Sequence, residues 1–218
     1  MRLVWKPDGT EVVVGRKVRK FPFTLLLVGK VWSNSFKDDN LLAISRATFT
    51  EISPPQKPAE KLLQVVFSWS GQELILSTGD GQVKILDYPS FSTLHTVHAH
   101  TAPCPGLDIS PAGTSIAVGG EDAIISLWDT TEFICQRTFA QMEGPVKSLS
   151  FSFDGHYLVG GSDDGLNLDI AHVDSGEYQH KVITNRPAPL VSWHPSRYVL
   201  AYVEEGRGLN ILGASWVS

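Results

Sequence analysis

A spacing of 42 residues recurs along this chain and constrains its fold more than any other feature. Gly71, Gly113 and Gly155 stand 42 apart. The large apolar residues Phe67, Ile109, Phe151 and Trp193 keep the same step, as do Leu74, Ile116, Leu158 and Leu200, and Asp80, Asp122 and Asp164. Ile85, Leu127 and Ile211 form a further column, in which Asp169 takes the fourth unit's place. Several independent columns at one period mark a tandem array of one supersecondary unit.

Inside each unit the pattern is strand and turn. In the third unit, Gly106–Ile109 meets the turn Ser110-Pro111-Ala112-Gly113, and Ser115–Gly119 follows as a second strand. A turn through Glu121-Asp122 leads to Ile124–Trp128, and Ile134–Phe139 supplies a fourth strand. The fourth unit repeats this with Val146–Phe151, Tyr157–Gly161, Leu166–Ala171 and Tyr178–Ile183. Asp-Gly and Pro-x-Gly between short apolar runs are hairpin chemistry, because glycine reaches positive φ without steric cost. Four strands of ~5–6 residues with four connections of ~4–6 account for about 40 residues. A four-stranded meander repeated at that interval is a β-propeller blade.

The 19 glycines and 13 prolines among 218 residues suit such a turn-rich β architecture. One irregularity stands out. Trp5-Lys6-Pro7-Asp8-Gly9 opens another unit, yet Gly9 and Gly71 are 62 apart, 20 more than the step. The surplus falls between Gly15 and about Phe49, in a segment without the Asp-turn and third-strand pattern of the other units. A proline-rich connector, Ser53 to Pro58, follows it. The expected organisation is one propeller portion: an irregular blade over 1–60 with a ~20-residue insertion within 16–48, blades over 61–102, 103–144 and 145–188, and a partial blade over 189–218.

The string GGEDAIISLWD, 119 to 129, ends its third strand on Trp128-Asp129, with Asp122 six positions before the tryptophan and His100 nine before Ile109. These residues resemble the WD40 repeat. The resemblance implies an all-β WD40 β-propeller, incomplete here, with about five blades or parts of blades against the seven expected of the family. It also implies a buried hydrogen-bonded blade network of His, Ser/Thr, Asp and Trp, in which His100, Asp122 and Trp128, with the neighbouring Asp129, take structural roles. Positions 119 and 120 are both glycine, so the hydroxyl is missing and the network is expected to be incomplete.

The stretches ILDYPSF (85–91), AIISLWDTTEFICQRTF (123–139), VKSLSFSFDGHYLVGGSDDGLNLDIAHVDSGE (146–177) and VSWHPSRYVLAYV (191–203) are similar to the WD40 subunits of THO/TREX complexes. Asp169-Ile170-Ala171, where Leu-Trp-Asp is ordinary, is a distinctive mark of that group. The likeness covers 1–15 and 50–213. It implies a non-catalytic scaffold, in the nucleus, of a complex coupling transcription to mRNA processing and export. Its partners are the other subunits of a THO/TREX-like complex, with mRNA reached indirectly through them. No cofactor, metal, membrane or small-molecule substrate is implied. The competing expectation is a generic WD40 adaptor, such as a ubiquitin-ligase receptor or histone reader. Five first strands and a segment near 16–46 foreign to the group give the further expectation of a truncated or mis-assembled chain.

Other features carry less. A formal charge of −5 argues against broad phosphate-backbone binding, which needs a basic face. The cluster Arg16-Lys17-Arg19-Lys20 reads as a solvated loop before it reads as an RNA contact or nuclear-import patch. Phe21–Gly29 is the longest apolar stretch, far short of the ~20 residues that span a bilayer, and no A-x-A site follows it. Phe21–Trp32 reads as core strand rather than as a partner-binding wedge. His98-x-His100 is a weak metal pair without a third ligand. A His–Asp pair with Ser110 or Ser126 invites a catalytic reading, but no G-x-S-x-G elbow occurs, and the aspartate column recurs in units that lack a histidine. Trp5, Phe67, Phe151 and Trp193 fall in the core column rather than on a base-stacking platform. Cys104 and Cys135 are too few for a disulfide framework, which favours a reduced, intracellular setting.

Overall fold

The computed structural model describes residues 2–16, 23–27, 30–34, 40–45 and 61–213. All regular structure among them is β-strand. The first sheet has the order β1-β2-β5, from β1 (Arg2–Trp5), β2 (Glu11–Arg16) and β5 (Asn40–Ser45), and β3 (Phe23–Leu27) pairs with β4 (Lys30–Asn34) as a separate hairpin. Three four-stranded antiparallel meanders follow. They are β6 (Leu62–Phe67), β7 (Glu73–Thr78), β8 (Gln82–Asp87) and β9 (Thr93–His98); then β10 (Gly106–Ile109), β11 (Ser115–Gly119), β12 (Ile125–Asp129) and β13 (Cys135–Phe139); then β14 (Val146–Phe151), β15 (Tyr157–Ser162), β16 (Asn167–His172) and β17 (Tyr178–Ile183). The last sheet is β18 (Leu190–Trp193), β19 (Val199–Val203) and β20 (Leu209–Gly213).

The repeat columns become repeated contacts. Gly71, Gly113 and Gly155 hold φ of 68°, 71° and 78° at the same place in successive hairpins, a region open to glycine at no cost. Three residues before each glycine, the hydroxyls of Ser68, Ser110 and Ser152 accept the backbone N–H of Glu73, Ser115 and Tyr157 at 2.9–3.1 Å. The side chain two positions before each glycine packs on the glycine of the following sheet. A methyl group at Gly71 would lie 3.2 Å from Pro7 Cδ, one at Gly113 2.6 Å from Trp69 Cβ, and one at Gly155 3.5 Å from Pro111 Cδ.

Each inner sheet buries both faces. Val65, Phe67, Leu74, Leu76 and Leu86 form one cluster, whereas their neighbours Ile75, Val83 and Ile85 pack against Leu107, Ile116 and Val118 of the next sheet. Leu127 and Phe139 join Val146, Phe151 and Leu158 across the next boundary. Leu168, Ile170 and Val182 join Val191, Trp193 and Leu200 across the last. Alternation at period two makes this possible, since successive residues point to opposite faces. Ile85 and Leu127 are therefore 1% and 3% exposed, while Ile211 in the same column is 69% exposed on β20. Asp169, in that column, is buried. It accepts a hydrogen bond from Asn167 Nδ2 at 2.6 Å and stands opposite Lys181 in the ladder. Burial raises its pKa, against the pull of Lys181.

The first strands of successive sheets, β1, β6, β10, β14 and β18, lie side by side in series. Each is the free edge of its own sheet, so its outward N–H groups need acceptors. For β14 and β18 the preceding sheet supplies them. Ser148 Oγ accepts Val191 N–H at 3.0 Å, and Ser150 Oγ accepts Trp193 N–H at 2.9 Å. Asp108, one repeat before Ser150, accepts Phe151 N–H at 2.8 Å through Oδ2. Its Oδ1 accepts Ile109 N–H at 2.9 Å, a donor that Val66 in the sheet before cannot satisfy. A carboxylate has the two acceptors that this position requires.

The strand spans locate the surplus. Residues 17–39 separate β2 from β5, where 79–81 separate β7 from β8, a difference equal to the 20 residues beyond the 42-residue step. The sequence reading found no third strand here. The structure corrects this: β5 lies 42 residues before β8 and pairs with β2 from Glu11↔Ser45 to Arg16↔Asn40. Asp38, 42 residues before Asp80, keeps the aspartate column at this connection, but the β3–β4 hairpin intervenes in the chain between it and β2. Lys17, Arg19 and Lys20 of the basic cluster, the Ser53 to Pro58 connector, and Phe21, Pro22, Val28 and Gly29 of the apolar stretch lie outside the described residues.

The Asp108 staple gives a pH dependence. Burial pushes its carboxyl up to about 6, against the lowering effect of the Phe151 and Ile109 N–H groups. The folded state then binds more protons than the unfolded state between pH ~4 and ~6, so stability falls as pH rises through that window. The expected result is that the native protein loses on the order of 1–3 kcal/mol relative to Asp108→Asn between pH 4 and pH 7. Urea titrations at a series of pH values measure it; parallel profiles for the two proteins contradict it.

Candidate functional site: a buried histidine network and the turn faces

His100 leaves β9 by two residues and crosses to the following sheet. Its imidazole is 2% exposed and faces Asp122 in the β11–β12 turn, with Nδ1 at 3.1 and 2.9 Å from the two carboxylate oxygens. Nδ1–H therefore donates to Asp122, and Nε2 accepts from Ser126 Oγ at 2.8 Å. Trp128 Nε1–H donates to the same hydroxyl at 2.8 Å. The chain Asp122–His100–Ser126–Trp128 thus joins the connection from one sheet to the turn and third strand of the next.

The expected gap in this network is corrected. Gly119 and Gly120 carry no hydroxyl, but Ser126 on β12 supplies one between histidine and tryptophan. A side chain at position 120 is excluded, since its Cβ would fall 2.1 Å from Asp122 Oδ1 and 2.7 Å from His100 Nδ1. Asp129 is corrected as well, because it stands outside the network. Its carboxylate accepts the N–H groups of Thr131 at 2.7 Å and Glu132 at 2.8 Å, closing the β12–β13 turn. Those bonds, from Glu132 and then Thr131, hold its pKa below the usual value. The other aspartates of the column work locally: Asp80 accepts from Thr78 Oγ1 at 2.5 Å, and the Asp164 N–H donates to Ser162 Oγ.

Asp, His and Ser in this order also describe a hydrolase triad. The surroundings do not suit one. Ser126 is 2% exposed, and its oxygen is already engaged by the indole N–H, so a substrate carbonyl has no approach. Ser110 is a turn hydroxyl bonded to Thr114 N–H and Ser115 N–H. His98 is exposed on β9 while His100 is turned inward. Among the described residues one group of three has metal-ligand geometry: His156, His172 and Asp174, with donor atoms within 4.8 Å of one another. His172 Nδ1 there already accepts the Ser175 N–H at 3.2 Å. Cys104 and Cys135 are free thiols. Burial, with Asp122 and Asp80 nearby, pushes Cys104 up to about 12, which leaves it an inert thiol.

Turns join strands one and two, and three and four, at one end of the stacked sheets; the opposite end carries the remaining connections and His100. Side chains bridge neighbouring sheets at both ends. Arg137 donates to the carbonyls of Ser175 and Asp174 at 2.9 and 2.8 Å, Lys147 pairs with Asp163 at 3.2 Å and Glu121 at 3.6 Å, and Tyr198 donates to Asp154. The result is a platform of fixed turns.

Stacked four-stranded sheets with this network define the class: the fold is a WD40 β-propeller, present here in part. The profile of the family described as WD domain, G-beta repeat, matches residues 91–129 and 133–166. The first match runs from the outer strand of one sheet through the third strand of the next, the span that the histidine network ties together. The chain is 32% identical to THO complex subunit 3 of Arabidopsis thaliana over 95% of its own length and 59% of that protein's. It is 30% identical to WD repeat-containing protein AAC3 of Dictyostelium discoideum over 92% of its length and 38% of that protein's. It spans less than two thirds of both relatives. The β-propeller domain of Cps50 (Swd1) from Myceliophteria thermophila superposes with a TM-score of 0.80 at 16% identity, covering 98% of this chain and 83% of that one, a likeness of fold.

Breaking the network has a defined cost. Ser126→Ala strands the Trp128 N–H and His100 Nε2, and His100→Ala strands Asp122 and Ser126. Each is expected to cost about 1–3 kcal/mol. The double variant should fall short of additivity by on the order of 1 kcal/mol in urea unfolding followed by fluorescence. Strict additivity contradicts a shared network.

Proposed function

We propose that this chain serves as a non-catalytic scaffold subunit of a THO/TREX-like nuclear complex that couples transcription to mRNA processing and export. The observation that carries this reading is the 32% identity to THO complex subunit 3 over 95% of the chain. The physical setting supports it. Sheets buried on both faces and stitched at the axis hold the turns rigid, so binding needs little ordering of the platform. The Asp122–His100–Ser126 chain is closed to substrate and engaged by an indole. In this reading His100, Asp122, Ser126 and Trp128 serve the blade, and partners meet the turn faces. Messenger RNA is reached through the complex, in keeping with a net charge of −5.

Purification of the tagged chain from nuclei is expected to recover the other subunits of a THO-type assembly, with recovery surviving ribonuclease because protein contacts hold it. Recovery of an unrelated assembly overturns the reading.

A further inference from the structure

The turn end of the platform holds a cavity of about 210 Å³ between the β6–β9 and β10–β13 sheets. Its floor is apolar, formed by Ile75, Ile109, Ile116 and Phe133, and Trp69 and Glu73 line it as well. Trp69 stands in the column that holds Pro7 and Pro111 in neighbouring sheets, and like them it rests on the next sheet's glycine. Packing on Gly113 uses only the base of the side chain, and Trp69 is 70% exposed. An indole that is fixed at its root and open to solvent is an interaction anchor rather than core.

The anchor is held in place. Ser68 and Ser70 on either side bond to each other at 3.1 Å, and their hydroxyls accept the N–H groups of Glu73 and Gln72. Glu73 lines the same cavity, and its carboxylate has no cation within ion-pair distance among the described residues. Glu132, exposed in the turn that carries Thr130 and Phe133, has none either. An apolar floor with an indole and an unneutralised carboxylate is complementary to a side chain with an aliphatic stem and a cationic head. The volume lies below the ~300–1,000 Å³ of small-molecule pockets, which suits one inserted side chain.

We propose that this cavity is a recognition site for an arginine side chain presented by a partner protein, its guanidinium packed on Trp69 and bonded to Glu73. Arginine is favoured over lysine because a planar guanidinium stacks on an indole while its fork still donates to a carboxylate. This deepens the scaffold reading by naming one contact surface, and it rests on that reading for its biological partner.

The test is a titration of the purified full chain with acetyl-Gly-Arg-Gly-amide, followed through the indole N–H resonance of Trp69, which Trp69→Phe identifies. The expected result is a saturable shift, at least tenfold weaker binding to Glu73→Gln, and no shift with the citrulline peptide, which keeps the shape and loses the charge. Unchanged far-UV dichroism checks that both variants remain folded. Absence of a saturable shift, equal binding of the citrulline peptide, or unchanged affinity in Glu73→Gln overturns the site. A lysine peptide that binds as tightly as the arginine one overturns the assignment to arginine. Failure here leaves the nuclear purification unaffected, and failure there leaves this titration unaffected, so the two claims fall separately.

Discussion

The sheets that begin with β14 and β18 each depend on the preceding sheet through the strand nearest the axis. That strand is an edge with N–H groups turned away from its own ladder, and burying them unpaired would cost about 1–3 kcal/mol each. Side chains of the preceding sheet accept them: Asp108 for Phe151, Ser150 for Trp193 and Ser148 for Val191. These bonds fix the position of the last two sheets relative to those before them, while the apolar clusters on both faces supply most of the favourable energy. The clusters alone would tolerate sliding. The directional bonds do not.

Rigidity at the axis has a consequence at the periphery. The turns are anchored by the serine column and by residues that lean on the next sheet's glycine, so an exposed group such as Trp69 keeps its place without a partner. The histidine network adds a second tie at the opposite end, where the connection from β9 to β10 meets the β11–β12 turn. A chain built in this way presents two fixed faces of turns.

Much of this was legible in the sequence because the repeat aligns residues with equal jobs. The glycine column is the positive-φ turn, the Phe67/Ile109/Phe151/Trp193 column lies on the innermost strands, and the third and fourth units gave strands within a residue or so of those observed. What escaped was whatever one position took over from another. Ser126 provides a hydroxyl from a column where no other unit has a serine, so scanning positions 119 and 120 missed it. β5 kept its 42-residue distance from β8, but 20 extra residues separate it from β2. Asp129 shares the family's dipeptide with Trp128 yet turns away, because adjacent strand residues face opposite sides. The Ser68/Ser110/Ser152 column was visible in the sequence and went unused.

Native-state hydrogen exchange at the amides of Phe151 and Trp193 tests the central claim most directly. Both sit on edge strands, where the side chains of Asp108 and Ser150 accept their N–H groups from the neighbouring sheet. The account predicts exchange as slow as that of ladder amides in β11 and β15, with both opening only when the whole array unfolds. Exchange at the rate of exposed turn amides, while the ladders stay protected, would mean that the sheets are not stitched at the axis.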